Sequence, residues 1–407
     1  MDRNLTADRW LILAVLFVAR TVMACQFQTV ASTAPFLIDG LAIDYAKLGT
    51  LIGLYMLPGI FIALPGGVLG QRFGAKRVVL AGLLLMAAGG ALMGWASSFL
   101  LVAAGRLISG TGAVLINVLM TKMVADWFAK HELVTAMALL ITSWPLGLAL
   151  GLMLFTPLAL AASWSAVMNV AALLSLASFA MVALAYRDPP DLAAAPAARL
   201  HLSLSPREWL AVCLAGSIWM TYNVSYIVLF SFLPALFGAH GFSLTQAGQI
   251  VSVLGWTLIV SVPLAGFLAE RLRRPNLFLV GGFAVSAVAA VALPFAGSPF
   301  YAFGVLALVL GAPAGPVMAL PAQALRPENR AGGMGVYFTW YYAGMAVLPG
   351  LAGLARDLTG SAAAPALLAA AMMGLALLGL AGFRLLQRPS ESTQEGGSPA
   401  RTHRRAP

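Results

Sequence analysis

Two arginines, Arg20 and Arg106, sit inside long apolar stretches of a 407-residue chain that places no Asp, Glu or His at comparable depth. A charge held away from water is costly, so each arginine is a candidate functional group. A guanidinium is planar and offers forked donors, a geometry that suits a carboxylate or another small delocalised anion. Two such cations without carboxylate partners predict an anion-binding site. Each also has a plainer reading. Arg20 would bond helix-end carbonyls or extend toward the inner surface, and Arg106 would serve structure or coupling. Other chemistry finds no support. The four histidines are scattered, Cys25 and Cys213 read as small packing residues without a CxxC partner, and no G-x-x-x-x-G-K-[ST] phosphate loop occurs. The expectation is a protein that is not an enzyme and takes no cofactor or metal.

The elements that position the arginines follow from composition. Hydrophobic residues make up 61% of the chain and charged residues 9%, whereas a soluble domain is about a quarter charged. Twelve apolar runs span roughly 10–37, 45–70, 77–97, 99–125, 133–157, 163–186, 208–237, 244–269, 277–296, 299–324, 332–354 and 362–386. Each approaches or exceeds the ~20 residues of a membrane-crossing helix. Such runs are too long for barrel strands, so the predicted class is an all-α membrane protein. "VASTAP" (30–35) faintly resembles a cleavage site, but the run before it is long and carries Arg20, so an uncleaved first helix is expected.

The runs repeat. Shifting the first half by 199 residues places Trp10 on Trp209, Pro35 on Pro234, Gly49 on Gly248, Gly67 on Gly266, Arg72 on Arg271, Gly112 on Gly311 and Gly151 on Gly350, with no gap. Six runs per unit make the repeats parallel. The expected organisation is an N-terminal six-helix half (1–186), a proline-rich cytoplasmic linker (187–207), a C-terminal half (208–386) and a disordered cytoplasmic tail (387–407). With the N-terminus inside, only Lys47 and Arg356 of the 24 basic residues fall in outer loops, and Arg20 and Arg106 lie in the membrane. The positive-inside rule then places both termini in the cytoplasm of a plasma (inner) membrane. The net charge of +10 thus reads as topology, with no nucleic-acid partner.

Between the second and third runs stands "GVLGQRFGAKR" (67–77), and its repeat contains "GFLAERLRR" (266–274). Glycines 66, 67 and 70 offer a small-residue face, and Gly74 permits a tight turn. The stretch resembles the G-x-L-A-D-R-x-G-R-K loop of the major facilitator superfamily, matched here by Gly67, Leu69, Arg72, Gly74 and Lys76. "GRLISGTG" around Arg106 is similar to the arginine motif of that family's fourth helix. "KMVADWFAKHE" and "SWPLG" bear a weaker likeness to its cyanate-permease and nitroimidazole-transporter branch. The resemblance implies twelve helices in two six-helix repeats of major facilitator type. It also implies alternating access and a charged loop that latches the cytoplasmic side. Gln71 replaces the acid of that latch, while Glu270 and Arg271 keep an acid–base pair in the second copy.

The same resemblance assigns the central cavity to runs 1, 4, 7 and 10. On run 1, Phe27 shares the stripe of Arg20, with Gln28 at its edge; on run 4, Asn117 shares that of Arg106. The repeat carries the run 1 stripe to Trp219, Asn223 and Tyr226. The expected substrate-binding set is therefore Arg20, Phe27, Gln28, Arg106, Asn117, Trp219, Asn223 and Tyr226, cationic on one half and aromatic on the other. For Trp219 and Tyr226 the plainer reading is packing, and for the asparagines a tie between helices. The function this supports is a monomeric secondary transporter for a small organic or inorganic anion (cyanate- or nitrate-like), with protons as a coupling ion. The rivals are a proton-coupled exporter of drugs or metabolites, which would want a buried carboxylate, and a non-transporting membrane sensor, for which no signalling domain is evident.

Overall fold

The computed structural model describes residues 2–128, 132–189, 204–296, 299–326 and 329–387, and these form helices and turns without a strand. The linker residues 190–203, the tail 388–407 and His131 lie outside the described residues. The helices are α1 (Asp2–Ser32), α2 (Ala34–Leu41), α3 (Tyr45–Leu54), α4 (Gly59–Phe73), α5 (Ala75–Gly94), α6 (Phe99–Phe128), α7 (Leu133–Ala161) and α8 (Trp164–Ala185). The second half contributes α9 (Pro206–Ala239), α10 (Leu244–Arg271), α11 (Pro275–Ala292), α12 (Pro299–Val309), α13 (Ala314–Met318), α14 (Leu320–Ala324), α15 (Arg330–Thr359) and α16 (Ala364–Gln387). Among the described residues, 10 helices are long and apolar enough to cross a membrane. The segment α12–α14 and the 30-residue α15 supply the other two crossings. The fold is all-α, with twelve transmembrane segments in two six-helix repeats.

Three of the twelve apolar runs are not continuous helices, and proline marks each break. The first run divides at Thr33, with Pro35 in the first turn of α2. The second unwinds over residues 55–58, ending at Pro58. The tenth breaks twice around Pro313 and Pro321, where its repeat mate α6 runs unbroken for 30 residues. A proline inside a helix removes a backbone donor and collides with the carbonyl four residues earlier. Non-helical backbone at membrane depth survives only where protein or a water-filled cavity surrounds it; Tyr55 and Met56 of the second crossing line the cavity described below, and Leu310, Gly311 and Pro313 of the tenth are buried in protein.

The face carrying the N-terminus differs from the opposite face. On the opposite face, α3 of the first half lies against α15 of the second, and α10 lies against α7. Both contacts are backbone-close. A Cβ at Gly49 would collide with the carbonyl of Pro349, and one at Gly248 would stand 2.9 Å from the carbonyl oxygen of Leu152. These glycines are repeat mates. Asp357 at the end of α15 accepts from the backbone N–H groups of Tyr45 (3.1 Å) and Ala46 (2.7 Å), so it caps the orphan donors of α3 across the halves. The opposite face is thereby closed.

The loop motifs sit on the N-terminal face. Gly74 has φ +89°, a conformation that glycine adopts without penalty. Lys76 donates to the carbonyls of Ala183 (2.9 Å) and Tyr186 (2.8 Å), tying the loop to the C-terminus of α8. Gly66 and Gly70 do face α6, through Leu115 and Leu119, but a Cβ at Gly67 would meet open space, so two of the three expected glycines form the small-residue face. Gln71, Arg72, Glu270 and Arg271 are exposed. The two arginines lie over the rings of Phe73 and Phe267, and among the described residues neither acidic nor amide partner makes a latch with them.

Candidate functional site

A central cavity of about 560 Å³ separates the halves. Its walls come from α1, α6, α7, α9, α10, α13 and α15, with Tyr55 and Met56 of the α3–α4 turn at one end. Toward the N-terminal face its lining includes exposed residues such as Thr121, Ile141, Pro263 and Met318. The cavity is thus closed by the glycine contacts on one side and approached from the other. Helices of runs 5, 8 and 11 share the lining with the four runs expected from sequence.

Arg20 is the one lining residue charged at neutral pH. Its Nη1 donates to the carbonyl of Leu140 (2.7 Å) and to Ser143 Oγ (3.3 Å); Nε and Nη2 both donate to Asn117 Oδ1 (3.3 and 3.0 Å). Four hydrogen bonds use four of the five guanidinium donors, and one is left over. No carboxylate takes part. Asn117 accepts from Arg20 and is the residue that fixes the guanidinium plane. Pro145 lies two residues beyond Ser143 inside the unbroken α7, and Trp144 and Pro145 both line the cavity.

The second half answers with rings. Trp219, Asn223 and Tyr226 line the cavity as expected, and Tyr222, Phe338, Tyr341 and Tyr342 join them. Trp219 lies nearly parallel to Tyr337, with centroids 6.1 Å apart and planes at 19°, and is tilted against Tyr341 at 6.2 Å. Asn223 Nδ2 folds back to the carbonyl of Trp219 (2.8 Å). Tyr222 donates to the carbonyl of Leu310 (3.0 Å), beside the break in the tenth crossing. Tyr341 and Tyr342 escaped the sequence reading. The "TWYYAG" cluster was visible, but no periodicity argument said which face of run 11 meets the cavity.

Three expected residues lie elsewhere. Arg106 is fully buried and outside the lining. Its Nε donates to the carbonyl of Leu51 (2.8 Å), Nη1 to that of Gln26 (3.2 Å), and Nη2 to those of Phe27 (3.2 Å) and Ile52 (3.3 Å). The carbonyls of Leu51 and Ile52 stand at the end of α3, where the N–H groups that would reach them, those of Tyr55 and Met56, turn to Gly53 instead. Arg106 therefore caps a broken helix, where a cation also complements the helix dipole. The ring of Tyr55 covers it at 4.5 Å. Phe27 is buried between Tyr55 and Trp144, with centroids 5.5 and 5.4 Å away, behind the lining. Gln28 turns toward Gly151 of α7, and its amide, buried, has no partner among the described residues. Of the two arginines only Arg20 reaches the cavity, because the break at residues 55–58 claims Arg106.

Comparison with known proteins gives the same architecture. The family model described as Major Facilitator Superfamily matches twice, over residues 16–234 and 214–407. The 2-nitroimidazole transporter of Escherichia coli (strain K12) is 27% identical over 61% of this chain and 62% of its own length. The hexuronate transporter of Bacillus subtilis (strain 168) is 21% identical over 92% of this chain and 94% of its own. The solved D-xylose-proton symporter superposes with a TM-score of 0.76 at 13% identity, covering 93% of this chain and 97% of that one. Two family matches, one on each six-helix repeat, place the chain in the Major Facilitator Superfamily.

Proposed function

We propose that this membrane transporter moves a small anion by alternating access, with Arg20 as the residue that receives the charge. One observation carries the reading: among the described residues Arg20 is the sole charged one lining the cavity, it has no carboxylate partner, and it keeps one N–H donor unused. A cation left uncompensated at membrane depth favours an anionic guest. The name of the hexuronate transporter supports the same class, since hexuronate is a carboxylate. The halves 1–186 and 208–386 rock about the cavity as one molecule, in the plasma membrane with both termini cytoplasmic. The state described above then opens to the cytoplasm. Gly67–Lys76 and Gly266–Arg271 are the loops that engage when the cytoplasmic side closes. Protons are the coupling ion to test, although no carboxylate or histidine lines the cavity to carry them.

The test is uptake into proteoliposomes of a carboxylate, nitrate, a cationic dye and a neutral sugar, with and without a pH gradient. Only the anions are expected to enter, and Arg20→Gln should lower their uptake about 100-fold, the scale of one lost charge-assisted hydrogen bond. Arg20→Lys should lie between, keeping the charge but losing the planar group that Asn117, Ser143 and the Leu140 carbonyl hold in place. Uptake of cation or sugar by both wild type and Arg20→Gln would overturn the anion assignment.

A further inference from the structure

The cavity is far larger than its single charge requires. A nitrate or cyanate ion has three or four heavy atoms, whereas 560 Å³ lies within the roughly 300–1,000 Å³ of clefts that take drug-sized organic ligands. Around that volume large rings and thioethers dominate, and much of the hydrogen-bonding capacity is carried on the rings themselves. Trp144, Trp219, Tyr226, Tyr341 and Tyr342 face it, with Met23 and Met318 among the gaps. Asn117 is shared between Arg20 and Tyr342, Ser143 accepts from Arg20 and Asn223 Nδ2 donates to its own helix, so most of the polar groups that remain are hydroxyls carried on the rings of Tyr226 and Tyr341. Arg20 itself offers one donor and not a fork, which fits a single oxygen of a singly charged head group.

The repeat sharpens the point. Arg20 and Trp219 occupy the same position of the two halves, 199 residues apart. The structure sets them on opposite walls of one cavity. Trp219 is steadied by rings alone, because its indole N–H is buried without an acceptor among the described residues. A ring held by stacking and by no hydrogen bond can shift to lie on another flat group. Resting on the anion reading above, we infer that the guest is a flat, conjugated organic mono-anion of the aromatic carboxylate class. Its carboxylate meets Arg20, and its ring lies against Trp219 and Tyr341.

The experiment measures equilibrium binding to the full-length purified protein. The probes are benzoate, cyclohexanecarboxylate (same charge and similar size, not flat), nitrate and neutral benzamide. Benzoate is expected to bind about 10-fold tighter than cyclohexanecarboxylate, the scale of one aromatic pair beyond its area burial, and tighter still than nitrate. Trp219→Leu should level the two carboxylates, and Trp219→Phe, which keeps a ring, should preserve most of the preference. Arg20→Gln should weaken both carboxylates by the same factor. Equal affinities for the two carboxylates in wild type, or nitrate binding as tightly as benzoate, would overturn the inference while Arg20 dependence left the anion reading standing. So would benzoate failing to bind up to about 10 mM. Benzamide matching benzoate, with Arg20→Gln indifferent to both, would remove the anion reading itself.

Discussion

The two halves of the chain share a backbone plan and divide the chemistry. Position 20 of the first half is a cation held by Asn117, Ser143 and a carbonyl; its mate at 219 is an indole held by tyrosines. The fourth crossing is an unbroken helix, and its mate is broken by prolines into α12, α13 and α14. At the start of the first crossing Arg9 pairs with Glu132 of α7 at 2.7 Å. At the start of the seventh, the mate of Arg9 is Glu208, which pairs with Arg326. Pseudo-symmetry therefore conserves where contacts are made and leaves free what makes them. A symmetric scaffold suits rocking, and an asymmetric lining suits a guest with a charged end and an apolar body.

The largest effect should come from the arginine that does not touch the cavity. Arg106→Leu leaves the carbonyls at Leu51 and Ile52 buried without donors, because the bonds to Gln26 and Phe27 only supplement carbonyls inside the continuous α1. Two orphaned carbonyls cost about 2–6 kcal/mol, enough to remove most folded protein from a marginally stable chain. Arg20→Leu should do the opposite, abolishing transport while leaving the yield and Tm in detergent near wild type. Size-exclusion profiles and thermal unfolding of the two variants decide. Similar loss of fold in both would end the division between a capping arginine and a binding arginine.

Next in size is the closed face. Gly49 and Gly248 are mates, yet the approach at Gly49 is the tighter. Gly49→Val should force α3 away from α15 and open that face, whereas Gly248→Val should open it less. The measure is labelling by an impermeant maleimide of a cysteine placed at Ser231, which lines a small apolar pocket beneath this face, in a chain whose Cys25 and Cys213 are replaced by Ala. The labelling rate of Gly49→Val should rise about tenfold, a population shift of roughly 1.4 kcal/mol. Equal rates in the two variants would show that the two contacts contribute alike.

How much of this could be read in advance depends on the range of the signal. Apolar length and the 199-residue repeat are properties of whole segments, and they yielded the twelve crossings and the position of Arg20 opposite Trp219. Asn117 and Tyr226 followed from helical phase, which holds as long as the helix does. Arg106 was misplaced for the complementary reason. Phase along run 4 was right, but run 2 reads as one apolar stretch, with Pro58 as the sole trace of the break that creates an acceptor for a cation. The lining tyrosines of α15 were hidden because each face of run 11 carries large side chains, so composition did not distinguish the wall from the packing. Interrupted helices are the common thread: backbone left unpaired recruits polar side chains that sequence alone assigns to a ligand.

The ion pairs at the N-terminal face come third. Glu208 is 6% exposed and accepts from Arg326 N (3.1 Å), Nε (3.2 Å) and Nη2 (3.1 Å), from Asn329 Nδ2 and from Ser205 N (2.9 Å), where it also completes a capping box for α9. Glu132 is half exposed and bonds Arg9 alone among the described residues. Glu132→Ala should cost about 0–1 kcal/mol, as exposed pairs do. Glu208→Ala should lower Tm further than Glu132→Ala, since the buried Asn329 amide, the Arg326 guanidinium and two backbone N–H groups lose an acceptor at once. High salt should narrow the loss for Glu132 and spare that for Glu208, because screening acts on exposed charges. A larger Tm loss for Glu132→Ala would reverse the ranking of the two halves at this end.

The smallest effect isolates one backbone angle. Gly74 and Arg273 are mates, and both have positive φ, +89° and +52°. In the second half Arg273 N donates to the carbonyl of Glu270 (3.1 Å) and Arg274 N to that of Ala269 (3.2 Å), which is the double bond pattern that ends a helix with a left-handed residue. Glycine is the residue such a position favours, and a side chain there costs about 1 kcal/mol. Arg273→Gly should therefore stabilise the protein by up to about 1 kcal/mol, less what the freer unfolded chain takes back. Gly74→Ala should destabilise it by about 1–3 kcal/mol, since a Cβ there meets open space but the φ +89°, ψ 134° pair lies outside the left-handed helical region and is glycine's own. Arg273→Lys keeps the charge and the strain, and Arg273→Asn loses the charge but tolerates the angle. If stability tracks the angle, Gly and Asn gain and Lys does not. If it tracks the positive charge at the membrane surface, Lys alone matches wild type and Gly and Asn lose. Thermal unfolding of the three variants separates a turn tuned by conformation from one kept for its place among the basic residues of the N-terminal face.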